Sequence, residues 1–304
     1  MTNPLVIWRV TDGKRGHERQ TEGLVQALVQ LIPVNVSEIP ALPRGQAFRH
    51  WLNGRFPCGG RRPPALIIGA GHGTHLTMLA ARRACGGKTI VLMNPGLPRR
   101  CFDLCLIPEH DGVSEGGNVL LTRGAINAVQ PSHELQPNAG LILLGGISAH
   151  YRWDDREVAE QVRILASMRS DVNWRLTTSP RTPEGTLRLL REVLPGNVDI
   201  VAFRDAPLDW LPAQLRQAGQ VWVTPDSVSM LYEALTAGAA VGIFDLERIG
   251  KGRVARGVEQ LLGEGKVLGF AEWKAGQPLP APQQEFNEAA RCARWIRQTW
   301  FPDR

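Results

Sequence analysis

Short runs of Val, Ile and Leu recur along the chain, and most are separated by stretches whose apolar residues fall at helical spacing. In the first half the runs LVIWRV (5–10), VNVSEI (34–39), ALIIG (65–69), KTIVLMN (88–94), FDLCLI (102–107) and NVLLT (118–122) are predicted strands. After a polar loop, TDGKRGHERQ, the residues Leu24, Ala27, Leu28 and Leu31 share one face of a helix. A second helix is predicted over HLTMLAARRAC (75–85). Uninterrupted aliphatic runs alternating with helices are what a parallel sheet buried on both faces requires.

Near Gln136-Pro137-Asn138 the pattern breaks and starts again. Strands are predicted at 141–144, 174–178, 198–203, 221–224 and 240–244, with helices at 155–168 and over TPEGTLRLLREVL, LDWLPAQLRQAG, SVSMLYEALTAG and GRVARGVEQLLGEG. Both halves share one strand-loop-helix grammar. The expected fold is therefore α/β, two doubly wound Rossmann-like domains (1–136 and 137–283) facing each other across a cleft, followed by a helical segment, 284–304. In that last helix Phe286, Ala289, Ala290, Ala293, Ile296 and Trp300 form an apolar stripe, with Arg291, Arg294 and Arg297 elsewhere. Such a helix either lies on an anionic membrane or packs back onto the body of the protein, and the second reading is favoured.

Composition narrows the picture. The chain has 304 residues, 43% of them hydrophobic and 21% charged, enough to bury two cores and to exclude a wholly disordered protein. No apolar stretch approaches the length of a membrane span, and the N-terminus has no signal-peptide pattern. Five cysteines, at 58, 85, 101, 105 and 292, are odd in number and lack any C-x-x-C pair. They read as reduced thiols of a cytoplasmic protein, with neither a disulfide framework nor a zinc site. The formal net charge of +6 invites a nucleic-acid reading, but arginines occur along the whole chain and lysines are few. A binder of nucleic acid concentrates its cations, so the excess suits anionic small ligands or weak peripheral contact with the inner face of a membrane.

In doubly wound sheets ligands bind where strands end and helices begin. Four such loops carry unusual chemistry. After the first strand, Gly13, Lys14, Gly16 and His17 combine close backbone approach, a cation and a candidate general base; alternatively they form a plain strand-helix turn. Gly71, His72 and Gly73, within GAGHGTH, resemble half a dinucleotide fingerprint, but Thr74 stands where the third glycine belongs. The next strand ends at Asn94-Pro95 with no acid for a ribose, which disfavours a nicotinamide enzyme. His72 and His75 lack a third ligand, so no metal is expected. Gly86-Gly87-Lys88-Thr89 only imitates a P-loop, since Arg82 replaces its first glycine.

In the second half, Gly145, Gly146 and Ser148 follow a strand and suit a diphosphate cradled by backbone N–H groups. Thr178 and Arg181 add a hydroxyl and a cation at the same edge, and Thr182 reads equally as a helix cap. In the fourth loop Asp226 or Ser227 is expected to cap a helix that presents its free amides to phosphate. Ser229 and Glu233 lie one turn apart on that helix, with Glu233 either a ribose ligand or a solvated carboxylate.

The segments DGKRGHERQ, GAGHGTH, NPGLPRRCFDLCLIPEHD, LTRGAIN, LLGGISAHYRW, TTSPRTP and VTPDSVSMLYEA occur here in an order that resembles the elongated-mitochondria, or mitochondrial fission, family, over nearly the whole chain. Plant members of that family are implicated in mitochondrial division as adaptors for a dynamin-related protein. Bacterial members resemble GT-B glycosyltransferases, and this chain reads as one of them. The peptidoglycan GlcNAc transferase has a Gly-rich turn ending in histidine like Gly13 to His17, a second like Gly69 to Gly73, and a C-domain loop like Gly145-Gly146. It also has a ribose-binding glutamate placed like Glu233 and a last helix crossing back to the first domain. One departure is that Asp12-Gly13-Lys14-Arg15-Gly16 replaces the tandem glycines of its first turn.

The resemblance implies a metal-independent glycosyltransferase with a nucleotide-sugar donor, a UDP-sugar by preference, and no separate cofactor. Gly145, Gly146, Ser148, Thr178, Arg181, Ser227, Ser229 and Glu233 would hold the donor. Gly13, Lys14, Gly16, Gly71, His72 and Gly73 would hold the acceptor, and His17 would be the catalytic base. The absence of any Asp-x-Asp motif agrees with metal independence. Two alternatives stand beside this reading: a non-catalytic adaptor with a protein partner, and a UDP-sugar epimerase or hydrolase.

Overall fold

The computed structural model describes residues 3–207, 209–250, 252–281 and 286–304. The chain divides into two compact units, Met1–Ala128 together with Glu288–Arg304, and Val129–Asn287. The expected boundary at 283/284 falls outside the described residues.

The N-terminal unit contains β1 (Leu5–Thr11), α1 (Arg15–Leu31), β2 (Val34–Pro40), α2 (Arg44–Asn53), β3 (Leu66–Ala70), α3 (His75–Cys85), β4 (Lys88–Leu92), β5 (Leu104–Pro108) and β6 (Val119–Thr122). Its six strands form one sheet in the order β2-β1-β3-β4-β5-β6, with every pairing parallel. Successive residues of each aliphatic run go to opposite faces, as a pleated strand dictates. Ile68, Ile90 and Leu106 join the core beneath α1, whereas Ile67, Val91 and Cys105 join a second core on the other face.

The second unit contains β7 (Gln136–Leu143), α4 (Asp155–Met168), β8 (Asn173–Thr177), α5 (Glu184–Val193), β9 (Val198–Val201), α6 (Trp210–Gln217), β10 (Ala218–Val223), α7 (Val228–Ala237), β11 (Ala240–Ile243), α8 (Arg253–Gly263), β12 (Leu268–Gly269) and α9 (Phe270–Lys274). Its sheet, also wholly parallel, runs β12-β11-β10-β7-β8-β9. Counted from the unit's own first strand, that is the 3-2-1-4-5-6 order of a nucleotide-binding doubly wound sheet. Leu141 and Leu143 face one core, Ile142 and Leu144 the other.

The final helix, α10 (Glu288–Trp300), belongs to the N-terminal unit. Ala289, Cys292, Ala293 and Ile296 are buried in the core that contains Leu24, Ala27 and Leu28 of α1. Its apolar stripe is thus spent on packing, which removes the membrane-surface reading for this helix. Phe286, expected at the head of the stripe, instead stacks on Tyr232 of the second unit, 5.9 Å between ring centroids. Among the described residues no helix is long and apolar enough to cross a membrane.

Candidate active site

Each sheet has one switch point, where successive crossovers leave in opposite directions and the strand ends open a crevice. In the N-terminal unit it lies between β1 and β3, and in the second unit between β7 and β10. Both crevices are lined by the loops singled out from sequence.

At the first, helix α1 begins at Arg15, so the polar loop is only Asp12-Gly13-Lys14 and His17 lies in the first helical turn. The expected ten-residue loop is shorter because Asp12 anchors the helix start: its Oδ1 accepts from the Lys14 N–H at 3.2 Å. The other oxygen of that carboxylate, Oδ2, sits 2.8 Å from His17 Nδ1. A carboxylate bonded to Nδ1 holds the proton there and leaves Nε2 as the basic nitrogen. No described residue hydrogen-bonds His17 Nε2. The imidazole packs against Gly71, where a Cβ would come within 2.2 Å of its Cε1 and where φ is +80°, a backbone conformation that favours glycine. Gly13 (φ +75°), Lys14 and Gly16 are exposed, as are His72 and Gly73, and a Cβ at Gly73 would touch Asp12 at 3.2 Å. Asp12, His17, Gly71 and Gly73 are therefore one constellation.

His72 leans over Gly96 beyond the end of β4 and neighbours His75, with ring centroids 5.5 Å apart. Burial, then the nearby His72 and His17, hold the His75 pKa down at about 4, so its imidazole is neutral at physiological pH. Leu42, Arg44, His72, Gly73, His75, Leu76, Gly96 and Leu97 enclose a cavity of about 290 Å³. Its leucines, arginine and imidazoles suit a ligand with both apolar and anionic parts. Just after β4, Met93 holds φ at +70°, and among the described residues it is the sole non-glycine there. Backbone in that region is strained and accumulates near functional crevices.

At the second switch point the expected cradle is differently arranged. The Gly145 N–H donates to Thr224 Oγ1 at 2.7 Å and the Gly146 N–H to Asp226 Oδ2 at 2.9 Å. Both amides expected to face a diphosphate are thus already bonded within the protein. Asp226 was expected to cap α7, but its side chain is wholly buried and turned to the glycines and to Arg181, whose guanidinium lies 2.8 Å from Oδ2. Ser227 occupies the N-cap position without a side-chain cap bond, so neither candidate caps the helix. Oδ1 of Asp226 is buried with no hydrogen bond.

Arg181 is 42% exposed and also bonds the Ile147 carbonyl at 3.2 Å, which makes it the cation at this crevice edge. Thr182 does not cap α5 either. Its hydroxyl bonds the Gly145 carbonyl, and Ser179 Oγ donates to that same oxygen at 2.5 Å. A Cβ at Gly146 would lie 2.1 Å from the Arg181 carbonyl oxygen. Ser148 and Thr178 are likewise engaged. Ser148 Oγ accepts from the Tyr151 N–H at 3.2 Å, and Thr178 Oγ1 accepts from the Phe203 N–H at 3.0 Å. Ser229 is exposed, while Glu233 is only 8% exposed, which rules out the solvated-carboxylate reading of Glu233.

Sequence reasoning brought together Gly145, Gly146 and Arg181 correctly as neighbours and missed Asp226, Thr224 and Ser179 as the groups that bind them. Asp12 was missed as the partner of His17, although its spacing of five from the histidine, across a glycine turn, was the available signal. Among the described residues no group of three or more His, Cys, Asp or Glu could hold a metal ion.

The sequence profile of the mitochondrial fission ELM1 family matches residues 15–300, and the chain belongs to that family. No curated protein matches it in sequence. Among solved structures it is similar to a Listeria monocytogenes protein assigned as a UDP-N-acetylglucosamine 2-epimerase, with TM-score 0.63, 12% identity and coverage of 99% of this chain and 98% of that one. The glycotransferase of kitacinnamycin gives TM-score 0.51 and 14% identity over 98% and 99% of the two chains. MurG of Acinetobacter baumannii gives 0.51 and 12% over 97% and 100%. At such identities the likeness establishes the fold alone, that of GT-B proteins with their two Rossmann-like domains.

Proposed function

We propose that this chain is a metal-independent GT-B-like glycosyltransferase that takes its sugar from a nucleotide donor, a UDP-sugar by preference. The observation that carries the reading is the Asp12–His17 pair at the switch point of the N-terminal sheet, with the imidazole seated on Gly71. An oriented imidazole with a free Nε2 is the group needed to take the proton from an acceptor hydroxyl as it attacks the anomeric carbon. The proton passes to Nε2, and the bond from the anomeric carbon to the diphosphate oxygen breaks as the new glycosidic bond forms.

The second unit contributes the donor side. Arg181 and the first-turn amides of α7 are the positive groups for the departing diphosphate, and Glu233 is the acid for the ribose hydroxyls. The fold supports this assignment, since the relatives in shape include a glycosyltransferase and proteins named for UDP-sugars. For Arg181 to bind a diphosphate it must exchange Asp226 for phosphate oxygens, so donor binding and a rearrangement of this ion pair are expected to occur together.

A second reading is favoured by one specific observation. Gly145 and Gly146 spend their amides on Thr224 and Asp226, and a buried carboxylate stands at the crevice, as in a protein that kept the fold as an adaptor and lost the chemistry. Incubation with UDP-sugars separates the two. Release of UDP that depends on an added acceptor and disappears in His17→Ala supports transfer. Acceptor-independent isomerisation identifies an epimerase, and complete inertness together with a stable protein partner identifies the adaptor.

A further inference from the structure

Acidic residues are distributed far less evenly than arginines. Residues 39–102 contain no Asp or Glu but nine Arg and one Lys, so this segment alone carries +10 against +6 for the whole chain. Of the two carboxylates that flank it in sequence, one is engaged outside the segment and the other offsets a single arginine within it. Glu38 pairs with Arg9, and Asp103 bonds Arg82 at 3.1 Å and the Thr89 N–H at 2.8 Å.

Helix α2 lies inside this acid-free segment, and Ala47 is its one buried residue. Phe48 and Leu52, one turn apart, are 48% and 53% exposed. Trp51, half-buried between them, stacks on Phe48 with ring centroids 5.9 Å apart and 23° between planes. Arg83 of α3 covers the Trp51 ring at 5.5 Å. Arg44 and Arg49 on the helix, and Arg55, Arg61 and Arg62 in the loop after it, are all exposed. An isolated exposed Leu or Phe needs no explanation, but two on one helical face, joined by a tryptophan and accompanied by five exposed arginines on the helix and the loop after it, make a surface with a defined complement.

We propose that this face of α2 docks the N-terminal unit on an anionic phospholipid surface. Phe48, Trp51 and Leu52 enter the boundary between headgroups and acyl chains, and the surrounding arginines bind lipid phosphates. Nucleic acid also offers phosphates, but it makes no use of Leu52. Arg83 and Phe48 already occupy Trp51, so the ring is not an open stacking platform for a base. The proposal does not rest on the nucleotide-sugar reading of the switch-point crevices.

The test is sedimentation of the full chain with vesicles of phosphatidylcholine alone and with vesicles containing about one-third phosphatidylglycerol. Binding to the anionic vesicles is expected to be at least about tenfold tighter and to weaken as salt is raised to about 0.5 M. The double substitution Phe48→Ser with Leu52→Ser is expected to weaken it about tenfold. Arg49→Glu with Arg62→Glu should do the same without touching the apolar row. Unchanged melting temperatures will show that these exposed sites leave the fold intact. Equal binding to both vesicle types, wild-type binding by both double variants, or displacement from the vesicles by double-stranded DNA at equal phosphate concentration would each overturn the proposal. UDP titration of the same variants keeps any failure of the donor assignment separate.

Discussion

The Asp12 carboxylate reaches His17 Nδ1 at 2.8 Å across a turn of four intervening residues, and the imidazole it holds rests on the bare backbone of Gly71. Two segments that are distant in sequence are thereby committed to one geometry: Asp12 and His17 flank the turn from β1 into α1, and Gly71 follows β3. A larger residue at 71 displaces the ring, and a neutral one at 12 no longer holds the proton on Nδ1.

Asp12→Asn therefore tests orientation apart from charge at the base itself. The amide can offer its N–H to Nδ1 and so favour the tautomer protonated at Nε2, which is the wrong one for a base. Turnover is expected to fall by about 10²- to 10⁴-fold with donor affinity unchanged. Nitrogen NMR of the His17 ring should show the proton moving from Nδ1 to Nε2. A variant that keeps the Nδ1-protonated ring and full turnover would remove Asp12 from the mechanism.

Gly146→Ala probes the second crevice. A Cβ there lies 2.1 Å from the Arg181 carbonyl oxygen, at φ +155°. Loop 145–147 and loop 179–182 would have to separate, at a cost of about 3 kcal/mol. Thermal or urea unfolding should show that loss, whereas Gly13→Ala, with open space around its Cβ, should lose only the φ-related part, about 1 kcal/mol.

Much of this architecture is legible in the chain because a parallel sheet writes itself in aliphatic runs. α3 and α4 occupy 75–85 and 155–168, the ranges that their apolar periodicity indicates. The misses have physical causes. α2 buries only Ala47, and its row of Phe48, Trp51 and Leu52 spans little more than one turn, too short a stripe to mark a helix. β7 begins at Gln136, five residues before its apolar run, because Gln136–Gly140 is held by backbone pairing and not by burial of side chains. β12 is two residues long. The site residues were legible as loop chemistry, but their bonding was not. Nothing local to Asp226 shows that a glycine 80 positions earlier claims its carboxylate in preference to the adjacent helix.

Acid should destabilise the N-terminal unit through His75. Its folded pKa of about 4 lies below the 6.5 of a free imidazole, so the unfolded chain takes up the proton first. The associated stability is complete above pH 6.5 and is lost as pH falls toward about 4, by no more than about 3 kcal/mol. His75→Gln should flatten the dependence of the melting temperature on pH in that window. If the wild-type curve is already flat there, the imidazole is not held neutral by its surroundings.

Thiol labelling tests the cores of the N-terminal unit. Burial pushes the Cys105 and Cys292 thiols up to about 12, and burial with a bond from Cys58, 2.7 Å away, does the same for Cys85. Iodoacetamide at pH 8 should leave these three unlabelled in the folded protein and label them fully in urea. Rapid native labelling of Cys292 would mean that α10 leaves its seat on α1.

The central claim is that the second unit seats a nucleotide diphosphate, and calorimetric titration with UDP measures it most directly. Saturable binding is expected, weakened about tenfold or more by Glu233→Ala and by Arg181→Ala, and unaltered by His17→Ala. A flat titration of the folded wild-type protein, with no rise in melting temperature at saturating UDP, would contradict the claim.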